Sequence, residues 1–109
     1  MNYYNINHKD EIVSFKEATL RGLGKDKGLF VPDHIPTLPA SFFEEIAQKS
    51  NIEIAIEALY PYVNDSFSHE ELQRVLEEVF VFDTPVKELL SNTSVLELFH
   101  GPTMAFKDV

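Results

Sequence analysis

Val95-Leu-Glu-Leu-Phe-His-Gly-Pro-Thr-Met-Ala-Phe-Lys-Asp-Val109 is the stretch on which the reading of this chain turns. A β-type run, Val95 to Phe99, meets a break at Gly101-Pro102, and a segment of small residues then delivers Lys107 at an expected first turn of a helix. Strand, tight turn and helix start form an arrangement that presents one side chain at the top of a sheet. An amine at such a place, flanked by small and apolar residues, would meet desolvation and the positive end of a helix. Both disfavour the ammonium form and make the amine available as a nucleophile or base. Only two residues follow Phe106-Lys107, so the sequence reads as cut before that helix can form.

Composition bounds what the chain can do. Its 109 residues suffice for one modest core without staples. Apolar residues make up 44% and there is no cysteine, so a folded chain without disulfides or thiolate metal sites is expected. The start, Met1-Asn2-Tyr3-Tyr4, lacks a basic-then-apolar leader, and no apolar run approaches the roughly 20 residues that span a bilayer. The expected location is the cytoplasm. Nine basic against 18 acidic residues give a net charge of −9. Nine of the acids lie between Ser41 and Phe80 beside only Lys49 and Arg74, the pattern of a solvated acidic helical layer. Such a surface repels phosphate backbones and anionic membranes, so neither nucleic acid nor membrane is expected as a partner.

Three Ser-x-x-Glu patterns, at Ser14, Ser41 and Ser68, predict capping boxes that open helices. Behind the first, Phe15, Ala18 and Leu23 form the expected inward stripe, with Gly22 and Gly24 as stops. Behind the second, Phe42 or Phe43, Ile46 and Ala47 point inward. Behind the third, Leu72, Val75, Leu76, Val79 and Phe80 make the cleanest amphipathic stripe of the chain. Between these, Ile52, Ala55, Ile56, Leu59, Tyr60 and Val63 match one helical face over a longer span than the alternation of Ile52, Ile54 and Ile56 matches a strand. Helix is therefore expected, distorted or ended near Pro61. Asn2 to Asn7 reads as a short edge strand, and the Leu23 to Gly28 turn feeds a short strand, Leu29 to Val31. That turn lacks the spacing of a phosphate-binding loop. Val81 to Pro85 reads as a connector, Val86 to Leu90 is open to strand or helix, and Ser91 to Ser94 is a polar turn. The fold class is α+β: a small helix-rich domain with short strands, expected over residues 1–92, running at 93–109 into the first strand and helix start of an α/β catalytic domain. His8, His34 and His69 show no metal-ligand spacing, and adjacent acids such as Glu70-Glu71 diverge along a helix, so no metal site is expected.

The segment Leu96 to Val109 closely resembles the cofactor-lysine segment of threonine synthase, a pyridoxal-phosphate enzyme of the tryptophan-synthase-β-like fold. Its Ala-Phe-Lys-Asp core is shared with serine and threonine dehydratases, and the preceding Glu-Leu-Phe-His-Gly-Pro-Thr narrows the resemblance. Tyr3-Tyr4, Val13-Ser-Phe-Lys-Glu-Ala18, Gly22-Leu23 and Gly28-Leu-Phe-Val-Pro32 resemble that family's small N-terminal domain. The family tends to have Asp-Gly-Gly-Leu where this chain has Asp26-Lys27-Gly28-Leu29. The resemblance implies that Lys107 holds pyridoxal 5'-phosphate as a Schiff base and moves protons, as a lyase turns O-phospho-L-homoserine and water into L-threonine and phosphate. It places Thr103 and His100 as candidates to line the substrate pocket, and Asp108 as a helix-start residue complementing the dipole. The family's glycine-rich phosphate cradle and pyridine-nitrogen partner lie after the lysine. The chain is thus expected to be an N-terminal portion that needs the remainder of its own chain and is inactive alone. Two alternatives stand beside this: a threonine-synthase-like phospholyase that eliminates phosphate without making threonine, and a stand-alone interaction domain whose terminal motif is a relic.

Overall fold

The computed structural model describes residues 1–109, and its first residues form the middle of a sheet. Strand β1 (Tyr3–Asn5) pairs antiparallel with β2 (Ile12–Val13) on one side and with β3 (Phe30–Pro32) on the other, in the order β2-β1-β3. Tyr3 faces Val13 and Pro32, and Asn5 faces Phe30. The expected edge strand is therefore the central one. Pro32 is accommodated because β3 is an edge, where a missing N–H leaves no ladder bond unmade.

The central position explains a polar residue that periodicity alone would send to solvent. Asn5 is fully buried, and its side chain is satisfied at every polar atom. Nδ2 donates to Glu11 Oε2 (2.6 Å) and to the Lys25 carbonyl (3.0 Å), while Oδ1 accepts from the Asn7 amide (2.9 Å). The Gly24 to Gly28 turn wraps around this amide: a Cβ at Gly28 would overlap Asn5 Oδ1, and one at Gly24 would crowd Asn5 Nδ2. Both glycines are needed for close approach. Within the turn Asp26 and Lys27 take positive φ, 53° and 60°, a conformation strained for side-chain-bearing residues. Glu11 completes the hub. Its carboxylate accepts from Asn5, from the Lys25 amide (2.9 Å) and from Arg21, and these bonds, the Asn5 one foremost, hold it down to a pKa of about 2.

Below the sheet, Tyr3, Val13 and Ala18 form a buried cluster, with Met1, Phe15 and Phe30 packed against it. The rings of Tyr3 and Phe15 lie 5.7 Å apart, and Phe15 meets Phe67 edge-on at 6.2 Å. Tyr3 Oη donates to the Tyr62 carbonyl (2.9 Å), so the ring is buried with its polar tip satisfied. Helix α1 (Phe15–Arg21) starts where Ser14 Oγ accepts from the Glu17 amide and stops at Gly22, φ 71°. Glu17 turns to Arg21 instead of reaching back, so only half of the predicted box exists. Leu23 falls beyond the stop and is exposed.

Helix α2 (Ala40–Glu45) begins two residues earlier than predicted, capped at Pro39 and not Ser41, with no side-chain cap bond; Ser41 lies inside it. Phe42 is buried, but Phe43, Ile46 and Ala47 are exposed. The chain tightens into a 3₁₀ turn at Ile46–Gln48, and three residues per turn rotate the expected stripe off one face. The box that the sequence reading overlooked is at Ser50. Ser50 Oγ accepts from the Glu53 amide (3.2 Å), and Glu53 Oε2 accepts from the Ser50 amide (2.7 Å). It opens α3 (Asn51–Val63), which runs through Pro61 without ending there. Only two helical residues follow the proline, so little of the ladder depends on its missing donor. The Ser68 box forms in full with Glu71 and opens α4 (His69–Val79). Leu72 and Leu76 are buried while Val75 and Val79 are about half exposed, a narrower stripe than predicted.

The chain divides into two compact units, Met1–Gln73 and Arg74–Val109. In the second, Val86 to Leu90 resolves as strand: β4 (Val86–Leu90) pairs antiparallel with β5 (Thr93–Leu96) across a turn at Ser91-Asn92. The β-run expected at Val95 to Phe99 thus begins earlier, at Thr93, and ends at Leu96. The register slips between Glu88 and Leu90, and all nine strand residues are exposed. No helix is long and apolar enough to cross a membrane.

Candidate functional site

Lys107 sits in the second unit, on a closed loop built from Gly101 to Asp108. The Met104 amide donates to the Gly101 carbonyl (3.0 Å) to make the first turn, with Met104 itself at φ 54°. Ala105 is extended, and Phe106–Asp108 then forms a single 3₁₀ turn closed by the Asp108 amide on the Ala105 carbonyl (3.1 Å). The side chain of Asp108 folds back over the loop. Its Oδ2 accepts from the Thr103 amide (2.8 Å) and its Oδ1 from Thr103 Oγ1 (2.7 Å). These bonds, the one from the Thr103 hydroxyl foremost, hold the Asp108 carboxyl below the usual aspartate range. Gly101 is buried against the same carboxylate, and a Cβ there would overlap Asp108 Cβ and Oδ2.

Three expectations change. The helix start is one 3₁₀ turn. Lys107 is exposed, so the desolvation anticipated for it is not supplied by these 109 residues. Asp108 does not complement a helix dipole; it clamps the loop, five residues back, onto Thr103. The pairing of Gly101 and Asp108 was missed, and its only sequence signal is the Gly-Pro-Thr break followed by an aspartate at that spacing.

Lys107 and Asp108 line an open cleft of about 350 Å³ together with Pro102, Glu78, Val79, Val81 and Phe82. Thr103 is drawn to Asp108, and His100 Nε2 pairs with Glu97 Oε2 at 2.8 Å beside the Phe99 ring. Neither Thr103 nor His100 lines that cleft. No group of three or more His, Asp or Glu side chains is placed to hold a metal ion. A primary amine exposed at the rim of a cleft can add to a carbonyl carbon, and the loop beneath it is fixed by the clamp.

Residues 2–80 match the family model described as the threonine synthase N terminus. Threonine synthase of Schizosaccharomyces pombe is 45% identical over 102 residues, covering 88% of this chain and 20% of that protein. The crystal structure of threonine synthase from Escherichia coli superposes with a TM-score of 0.91 at 36% identity, covering 99% of this chain and 25% of the other. A PLP-bound threonine synthase from Brucella melitensis gives a TM-score of 0.88 at 34% identity, covering 100% of this chain and 25% of the other. The chain spans about a quarter or less of the length of these relatives.

Proposed function

The chain belongs to the family of the threonine synthase N terminus, and on that premise we propose that it is the part of a threonine synthase that carries the cofactor lysine, Lys107. Residues 1–92 are read as the N-terminal domain and 93–109 as the beginning of the PLP-binding catalytic domain. The reaction is conversion of O-phospho-L-homoserine and water to L-threonine and phosphate, in threonine biosynthesis and in the cytoplasm.

The observation that carries this is the exposed Lys107 amine on a loop closed by Asp108 upon Thr103. The residues present fit one end of pyridoxal phosphate. Lys107 Nζ is the amine that its aldehyde requires. A cradle for its phosphate is not among them, because Gly24 and Gly28 are committed to Asn5 and Gly101 to Asp108. When bound, the cofactor supplies the electron sink for carbanion chemistry. Lys107 Nζ would hold it, and the same amine would take and return protons at the substrate's Cα and Cβ. Asp108 holds the loop. The remainder of the catalytic machinery belongs to the rest of the polypeptide, so these 109 residues alone are read as inactive.

The test uses the enzyme expressed from its own gene. Borohydride reduction followed by peptide mapping should find the pyridoxyl mass on Lys107, and Lys107→Ala should abolish both the label and threonine formation. Label on another lysine, or threonine made by the variant at the parent rate, sinks the reading. Release of phosphate with a 2-oxo acid in place of threonine would instead identify a phospholyase.

A further inference from the structure

We propose that Asp108 is a positioning residue for Lys107, acting through its two hydrogen bonds to Thr103; this rests on the reading of Lys107 given above. Lys107 is exposed, so packing does not fix where its amine points, and the backbone of the loop must. A single 3₁₀ turn is a weak support, since its i→i+3 bonds have poor geometry and short runs fray easily. The loop also holds Met104 at φ 54°, a conformation that persists only where the surroundings over-determine it. What over-determines it here is one carboxylate taking both donors of Thr103, at 2.8 and 2.7 Å. Bonds to an ionised acceptor are roughly twice as strong as neutral ones, and the lowered carboxyl pKa keeps that acceptor charged at neutral pH. Gly101 reports the same design from the other side, since only a residue without Cβ leaves room for the carboxylate. The clamp spans the loop from Thr103 to the residue directly after Lys107. Breaking it frees the lysine's own backbone without removing any group that reacts.

A proton-transfer group displaced by about 1 Å loses on the order of 100-fold in rate. In the full enzyme, Asp108→Ala should therefore lower kcat by about 10- to 100-fold with KM changed less than about twofold, the signature of an interaction that matters in the transition state and not in substrate binding. Independently of turnover, hydrogen exchange in the cofactor-free protein should accelerate about tenfold or more at the amides of Thr103, Met104 and Asp108. Because Asp108→Ala risks misfolding, the Thr103 pair serves beside it. Thr103→Ser keeps the hydroxyl and should retain clearly higher kcat and slower exchange than Thr103→Val, which should lose several-fold in kcat with faster exchange. Equal kcat for the serine and valine variants overturns the proposal, as does a rise in KM alone, which would assign Thr103 to the substrate. Parallel measurement of Lys107→Ala separates the two levels. An inactive Lys107→Ala with an unimpaired Asp108→Ala sinks the positioning role only, whereas an active Lys107→Ala sinks the reading beneath it.

Discussion

The two units of this chain handle the same kinds of residue in opposite ways. In Met1–Gln73, Tyr3, Val13, Ala18, Phe42, Ala55, Val63 and Leu72 are buried, and the one fully buried polar side chain, Asn5, has a partner at every atom. In Arg74–Val109, Leu76 on α4 is buried, but Val86, Leu89, Leu90, Val95 and Leu96 lie on a two-stranded hairpin with every residue exposed. An isolated two-stranded hairpin is marginal in water. The first unit carries its own core; the second carries local clamps, Asp108 on Thr103 and Glu97 on His100, and little burial. The loop that holds the candidate reactive amine is thus one whose geometry rests largely on hydrogen bonds.

Truncation tests this contrast most strongly. Phe42 is 4% exposed and Leu90 71%. Phe42→Ala should destabilise the chain by about 3–5 kcal/mol through lost burial and the cavity left behind, whereas Leu90→Ala should stay within about 0.5 kcal/mol. Urea unfolding followed by far-UV circular dichroism decides it, and comparable losses from the two would erase the distinction. Next in size is Gly28→Ala. The new Cβ overlaps the buried Asn5 Oδ1, and either the loop shifts or the amide loses its partners, for about 1–3 kcal/mol. A midpoint unchanged from the parent would show the hub to be pliable.

The same hub predicts a pH dependence. Glu11 has its pKa lowered from 4.5 to about 2 by Asn5, Lys25 and Arg21. A carboxylate depressed in the folded state contributes stability that is complete above its unfolded pKa and is lost as pH falls through the folded one. Thermal midpoints should therefore drop between pH 4.5 and 2, and Glu11→Gln should flatten that slope while lowering the midpoint at pH 7. An unaltered slope in the variant would remove Glu11 as its source.

What was legible in the sequence is what local chemistry decides. Ser14 and Ser68 head their helices because a hydroxyl three residues from a backbone donor needs nothing distant. The α+β class was readable for a similar reason, from hydrophobic period. The centre of the sheet was not, since Asn5 is buried by bonds to Glu11 and Lys25 that no periodicity encodes. Val86 to Leu90 stayed open between strand and helix because a hairpin exposed on both faces leaves no burial pattern to read. The Asp108 clamp was hidden because it depends on a left-handed Met104 and a 3₁₀ turn.

The smallest effect separates two serines that look alike in sequence. Ser41-x-x-Glu44 and Ser50-x-x-Glu53 carry the same pattern, yet Ser41 lies inside a helix already begun after Pro39 while Ser50 makes both bonds of its box. The difference lies one or two residues upstream. Pro39 takes the extended N-cap conformation (φ −68°, ψ 155°) and its carbonyl accepts from the Phe42 amide (3.0 Å), so the helix has begun before Ser41 can act as its cap. Ser50 has no such predecessor, and its extended ψ of 160° directs its hydroxyl at the Glu53 amide. Removing that hydroxyl leaves the Glu53 amide an orphan donor; removing the Ser41 hydroxyl exposes nothing. Ser50→Ala should therefore cost about 1 kcal/mol, and Ser41→Ala should be neutral or slightly stabilising, since alanine is the better helix former. Equal losses in matched urea titrations would mean that the helix start at Ala40 gives way to the Ser41 cap in solution.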